Sequence, residues 1–313
     1  MTALRQLLSN IVDYAGLFPP AGLPLPQVIK NYARYIHSEN RWMLARVIVP
    51  AMKLPEFVDQ YLHLFSENDT DSNQTRWKIS ALIPAVDAND GGFAKAIEEI
   101  LRFNQACPFA KVDTVEGKLP TPDLAAPTCE QLPDQLAAFL EIPFADPEPG
   151  IQAISHVQRN NTFGKIRTGG MTPDLIPSAE CVARFIATSA NHGLGFKATA
   201  GLHHPLRGKF GLTYEPDTEC DVMHGFINVF LAACFARAKA WTAPQLIAVL
   251  QNTDPSSIQI SDEAITFNGN PLTSQEIASV RKEFAISFGS CSFEEPIEDL
   301  TNLDWLAAAS KTV

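Results

Sequence analysis

Short apolar runs rich in β-branched residues recur along this chain, and each is followed by a helical pattern. "RWMLARVIVP" (41–50) precedes "LPEFVDQYLHLF" (54–65), and "WKISALIPA" (77–85) precedes "GGFAKAIEEILRFNQA" (91–106). Further strands are expected at 109–116, 136–144, 162–168 and 195–201, and a last one at 285–292. Gly193 is a stop for the helix expected over 178–193, and Thr273 with Glu276 reads as a capping box opening the helix over 273–285. Strands that alternate with helices must pair in parallel, because each connection carries the chain back over the sheet. The 313 residues suit a closed (β/α)8 TIM barrel. The rival open doubly wound sheet lacks a G-x-G-x-x-G turn after an early strand. Residues 263–269 form a weaker strand, suited to a hairpin and not to the barrel. The domain expectation is one barrel over 1–313, with an N-terminal helical extension (1–40) and a helical insertion near 203–262 that holds helices over about 217–240 and 243–252. The polar stretch 66–76 reads as a surface loop.

Composition narrows the function classes. A net charge of −11 and a pI near 5.1 argue against nucleic-acid binding. The six cysteines show no CxxC spacing, so neither a disulfide framework nor a structural zinc site is expected. The N-terminal segment lacks the continuous apolar core of a signal peptide. The most apolar stretch, 226–241, is interrupted by Arg237 and Lys239 and is too short to span a bilayer. It reads as core or as a subunit interface, which leaves a homo-oligomer open. The expectation is a soluble, cytoplasmic protein that touches neither nucleic acid nor membrane, with a small anionic molecule as its partner and with no cofactor.

The strand ends carry the chemistry. Side chains alternate faces along a strand. With Ile166 in the helix layer, Lys165 and Arg167 point into the barrel; by the same parity Lys197 and Thr199, Glu141 and Asp113 point inward. Such barrel layers are ordinarily Val, Ile and Leu, so four successive strands with inward ionisable groups point to a site. Two neighbouring lysines suggest a Schiff-base nucleophile, because a second ammonium lowers a lysine's pKa. The turns Thr168–Gly169–Gly170, Thr199–Ala200–Gly201 and Ser290–Cys291–Ser292 offer backbone N–H groups for phosphate or carboxylate, aided by Arg167. His203 and His204 follow a strand's C-terminal end; adjacent side chains diverge, so one of them is expected to enter the site.

The ordered set "VD", "LE", "K-x-x-T-G" and "K-x-x-x-G", closed by "FGSCS", resembles deoxyribose-phosphate aldolase and its class I aldolase relatives over roughly 109–201 and 285–292. The resemblance implies Lys165 as the Schiff-base residue, Lys197 as the group that lowers its pKa, and Asp113 as a proton-transfer group. Arg167, the "HHP" at 203–205, the segment 203–262 and "DYAGLFPPAG" (13–22) depart from that pattern. The last of these reads either as a cover over the barrel mouth or as a packed turn. Two other readings remain. One is a metal-assisted barrel enzyme using Glu141, Asp113 and a histidine such as His203, His204 or His224, although no metal-binding spacing supports it. The other is a non-catalytic barrel that binds an anion.

Overall fold

The computed structural model describes residues 1–65, 76–86, 91–157 and 161–309. Its centre is a closed barrel of eight parallel strands: β1 (Val12–Tyr14), β2 (Leu44–Pro50), β3 (Trp77–Leu82), β4 (Ala110–Lys118), β5 (Ala137–Glu141), β6 (Thr162–Arg167), β7 (Phe196–Thr199) and, after smaller strands, β13 (Ala285–Ser290). Their order around the barrel is β1-β13-β7-β6-β5-β4-β3-β2. The chain is therefore a (β/α)8 TIM barrel, as the strand–helix rhythm predicts.

The smaller strands lie in residues 203–273. A hairpin joins β8 (Gly208–Gly211) to β9 (Cys220–Met223), and β10 (Ile258–Ile260), β11 (Ala264–Phe267) and β12 (Asn270–Thr273) form an antiparallel sheet. The weak strand over 263–269 thus pairs outside the barrel. The helices are α1 (Ala3–Leu8), α2 (Leu25–Ile36), α3 (Leu54–Leu64), α4 (Gly92–Ala106), α5 (Ala125–Glu130), α6 (Glu148–Ser155), α7 (Ala179–His192), α8 (Phe226–Lys239), α9 (Ala243–Leu250), α10 (Ser274–Glu283), α11 (Glu294–Asn302) and α12 (Trp305–Ala309). Their ends follow local chemistry. Ser178 accepts from the Cys181 N–H at the start of α7, and Gly193 closes it in the left-handed region at φ +65°. Thr273 and Glu276 form the reciprocal box that opens α10. The loop expected at 66–76 lies, except for Arg76, outside the described residues.

Two expectations change and one narrows. Residues 1–40 are not simply an extension, because β1 lies within them and seals the barrel between β13 and β2. Residues 203–262 are not simply a helical insertion: α8 packs on β13 as part of the helix layer, and residues 217–225 enter the hairpin strand before α8 begins. The apolar run at 226–241 is core. Every α8 residue from Phe226 to Ala236 is buried, and Phe226 and Phe230 pack on Phe288 with ring centroids 5.3 and 5.9 Å away. A helix apolar on all sides must be covered on all sides, and α7, α9, α10 and β13 cover this one. No helix among the described residues is long and apolar enough to cross a membrane.

Candidate active site at the C-terminal mouth of the barrel

Inward side chains of five strands build a chain of alternating charge. Lys197 on β7 is fully buried; its ammonium donates to Asp13 Oδ2 on β1 at 2.6 Å and to Glu116 Oε1 on β4 at 2.5 Å. Ser80 Oγ on β3 also donates to Glu116 Oε1, at 2.6 Å, and Ser287 Oγ on β13 donates to Asp13 Oδ2, at 2.7 Å. On β6, Lys165 Nζ lies 3.0 Å from Glu116 Oε2 and 3.2 Å from Glu141 Oε2. The contact to Glu116 is an ion pair without hydrogen-bond alignment, since that oxygen has no hydrogen-bond partner. Arg167 Nε completes the chain, 3.4 Å from Glu141 Oε1.

Above this chain opens a cavity of roughly 750 Å³. It is lined by Glu116, Lys165, Glu141 and Arg167, by the turns after β6, β7 and β13, and by the β8–β9 hairpin. Lys165 forms part of its floor with a side chain only 5% exposed, and Lys197 is sealed one layer beneath. Ala15, Phe18, Pro19 and Pro20 line the cavity as well, so the segment 13–22 lies at the barrel mouth.

The electrostatics differ from the sequence expectation. Burial pulls the Lys165 ammonium toward a lower pKa, but Glu116 and Glu141 outweigh it and raise it. Burial likewise pushes the Glu116 carboxyl up, and Lys197 and Lys165 outweigh that and hold it well below the usual carboxylate range. The charge of Lys197 is engaged by two carboxylates instead of acting on Lys165. A neutral Lys165 amine is therefore not prepared in advance.

Asp113 does not reach the cavity. A β-bulge interrupts the β3–β4 register between Ile79 and Ser80, pairing Ile79 with Val112 and Ser80 with Thr114. The extra residue is Asp113, and the bulge shifts the parity of everything after it. Glu116 thereby faces inward, while Asp113 pairs bidentately with Arg46 of β2 at 2.6 and 3.1 Å. The carboxylate in the position expected for Asp113 is that of Glu116. Sequence reasoning also missed Asp13, whose strand is three residues long, and Glu295. Small polar residues on strands, Ser80 and Ser287, were the available signal for buried carboxylates nearby.

The expected anion-binding turns divide. Gly170, Thr199, Gly201, His203, His204 and Cys291 line the cavity; Thr168, Gly169, Ser290 and Ser292 do not. The buried Thr168 hydroxyl donates to Ala200 O at 2.6 Å. Ser292 Oγ accepts from the N–H groups of Glu294 and Glu295 at the start of α11, and Ser290 Oγ accepts from Ser292 N–H. These hydroxyls are committed to backbone. Gly169 holds the two turns together: a Cβ there would stand 2.7 Å from Gly201 Cα, and Gly201 itself has φ +74°. The N–H groups of Gly170 and Gly201 donate to no acceptor among the described residues.

Both histidines line the cavity, contrary to the expectation of one. His203 Nδ1–H donates to Glu295 Oε2 at 2.9 Å. His204 Nδ1–H donates to Asp299 Oδ2 at 2.6 Å, and its ring stacks on Phe210 with centroids 3.5 Å apart. His224 lies elsewhere, fully buried, with Nε2–H donating to Pro177 O. Among the described residues no three His, Cys, Asp or Glu come together in a way that could hold a metal ion.

Fold and site together define a TIM barrel with a buried ionic network at its C-terminal mouth. No family model and no curated protein matches this chain. Among solved structures it is similar to a mutant of FabK from Thermotoga maritima, at 10% identity and a TM-score of 0.36 over 66% of this chain and 58% of that one. It is also similar to the spore cortex-lytic enzyme SleL of Bacillus cereus, at 9% identity and a TM-score of 0.42 over 97% of this chain and 75% of that one. The chain thus spans little more than half the length of the FabK chain.

Proposed function

We propose that this protein is an aldolase-like lyase acting on a small anionic carbonyl compound through a Schiff base on Lys165. The observation that carries the reading is the Lys165 ammonium on the cavity floor between Glu116 and Glu141. Two carboxylates suppress the free amine, yet they also favour whatever cation replaces the ammonium. A protonated Schiff base puts its positive charge on the same nitrogen. The network that holds the resting lysine would therefore hold the iminium without rearranging, and such preorganisation is the main source of electrostatic catalysis. The amine has to be uncovered when the substrate arrives. Glu141 is suited to take that proton, because Oε2 is 3.2 Å away and its side chain remains 14% exposed toward the cavity. The same carboxylate can return it. Arg167, Lys118 and the free N–H groups of Gly170 and Gly201 supply the attraction for a carboxylate or phosphate.

The test is reductive trapping. The protein is incubated with acetaldehyde, pyruvate, glyoxylate, dihydroxyacetone phosphate or glyceraldehyde 3-phosphate in the presence of cyanoborohydride, then mapped by mass spectrometry. A single adduct on Lys165, lost in Lys165→Met, is expected. Labelling confined to exposed lysines would refute the reading. Anion binding without labelling or turnover would favour the non-catalytic barrel.

A further inference from the structure

We infer that His203, oriented by Glu295, is a second catalytic residue of this cavity, serving as the general acid and base for the oxygen of the substrate carbonyl. The inference rests on the Schiff-base reading of Lys165. Four separate elements assemble the pair. His203 lies just beyond β7, Glu295 in the first turn of α11, Cys291 in the turn between β13 and α11, and Tyr214 in the β8–β9 hairpin loop. Glu295 Oε2 accepts from His203 Nδ1–H and from Tyr214 Oη–H, each at 2.9 Å. This fixes the imidazole ring and commits its Nδ1 proton. Nε2 has no oxygen or nitrogen hydrogen-bond partner among the described residues; Cys291 Sγ lies 3.9 Å from each ring nitrogen. A proton on Nε2 is thus the one free to move, on a ring that lines the same cavity as Lys165.

The groups facing His203 are Glu295 from α11, Cys291 from the turn, Tyr214 from the hairpin, and its neighbour His204, which is engaged by Asp299. Burial pulls the His203 imidazolium down, but Cys291 and Glu295 outweigh it and raise its pKa to about 9. At neutral pH the ring therefore holds both protons.

Schiff-base formation needs such an acid. Addition of the Lys165 amine to a carbonyl gives a neutral carbinolamine, whose hydroxyl leaves only as water. The C–O bond breaks and its electron pair goes to oxygen, which takes the proton from His203 Nε2. The nitrogen lone pair closes the C=N bond. The products are the iminium cation, one water and neutral His203, so atoms and charge balance. Hydrolysis runs the same transfer backward, with His203 as the base.

The experiment measures the rate of cyanoborohydride labelling at Lys165 with pyruvate and with glyoxylate from pH 6 to 10, in wild type, His203→Gln and Glu295→Gln. His203→Gln should label roughly a hundredfold more slowly, the scale of a lost general acid, and added imidazole should restore much of the rate. Glu295→Gln keeps the ring but removes the carboxylate that favours its charged form, so the alkaline limb near pH 9 should move to lower pH. Equal labelling of wild type and His203→Gln would overturn the inference alone. Slow labelling that imidazole fails to rescue, with an unmoved Glu295→Gln profile, would also overturn it by making the histidine structural. A wild type never labelled at Lys165 would refute the lysine reading itself, and this role for His203 with it.

Discussion

Lys197→Met is the most informative single change, because it removes the fully buried cation shared by Asp13 and Glu116. Methionine fills nearly the same volume, so the loss is electrostatic. Glu116 keeps Lys165 and Ser80, but Asp13 keeps only the Ser287 hydroxyl as a hydrogen-bond partner, with Arg46 and Arg281 acting on it by charge alone, and its Oδ1 already accepts no hydrogen bond. Removing one member of a buried ion pair costs about 3–5 kcal/mol. With an unfolding entropy of about 2.1 cal/mol/K per residue over 313 residues, that corresponds to a Tm lower by roughly 5–8 °C. The charge argument adds a second signature. Asp13→Asn in the same chain removes the carboxylate that has lost its ammonium, so it should recover part of the deficit. Differential scanning calorimetry of the three proteins decides the matter. A Tm within a degree of wild type, or no recovery in the double variant, would refute the account.

Three further outcomes follow from the same geometry. Glu141→Gln removes one of the two carboxylates that raise Lys165, so the pH profile of labelling at Lys165 should move to lower pH, as read by labelling rate against pH. Glu116 is depressed in the folded state, so its contribution to stability is present above about pH 4.3, the unfolded value, and is lost as pH falls; that of Lys165 is raised, so its contribution holds below about 10.4 and is lost as pH rises. Neither group gives a slope between these limits, whereas His203, raised to about 9, contributes stability below about 6.5 that is lost as pH rises; in a plot of Tm against pH the acid limb should be weakened in Glu116→Gln. Gly201→Ala should destabilise by more than the roughly 1–2 kcal/mol of a left-handed backbone, because its Cβ would also stand 2.6 Å from Gly169 Cα; denaturant melts would report it.

The barrel was legible wherever strands were long enough to show their parity. Lys165, Glu141, Arg167 and Lys197 fall on the inward face because β5, β6 and β7 run without interruption. Parity fails at β4, where one bulged residue turns Asp113 toward Arg46 and puts Glu116 in its place; nothing in "AKVDTVEGK" marks the bulge. β1 escaped notice because three residues are too few to show alternation, and its middle residue is the charged Asp13. His203 and Cys291 were each visible beside a strand end, but the pairing of His203 with Glu295 depends on where α11 starts in space. The hydroxyls of Thr168, Ser290 and Ser292 were plausible anion ligands by composition, yet turns and helix starts consume such groups first.

The seal between β1 and β13 also bears on the order of events during synthesis. Residues 12–14 and 288–290 are register partners, so β1 waits for every other barrel strand to be made before its second neighbour exists. Asp13 and its partner Ser287 are separated by 274 residues of chain, with Lys197 between them. Contacts of such long sequence separation form late and slow folding. A nascent chain halted before β13 would carry Lys165, Glu116 and Glu141 on an open sheet while the Ser287 support of Asp13 was still missing. The ionic network is thus completed in the same event that closes the barrel.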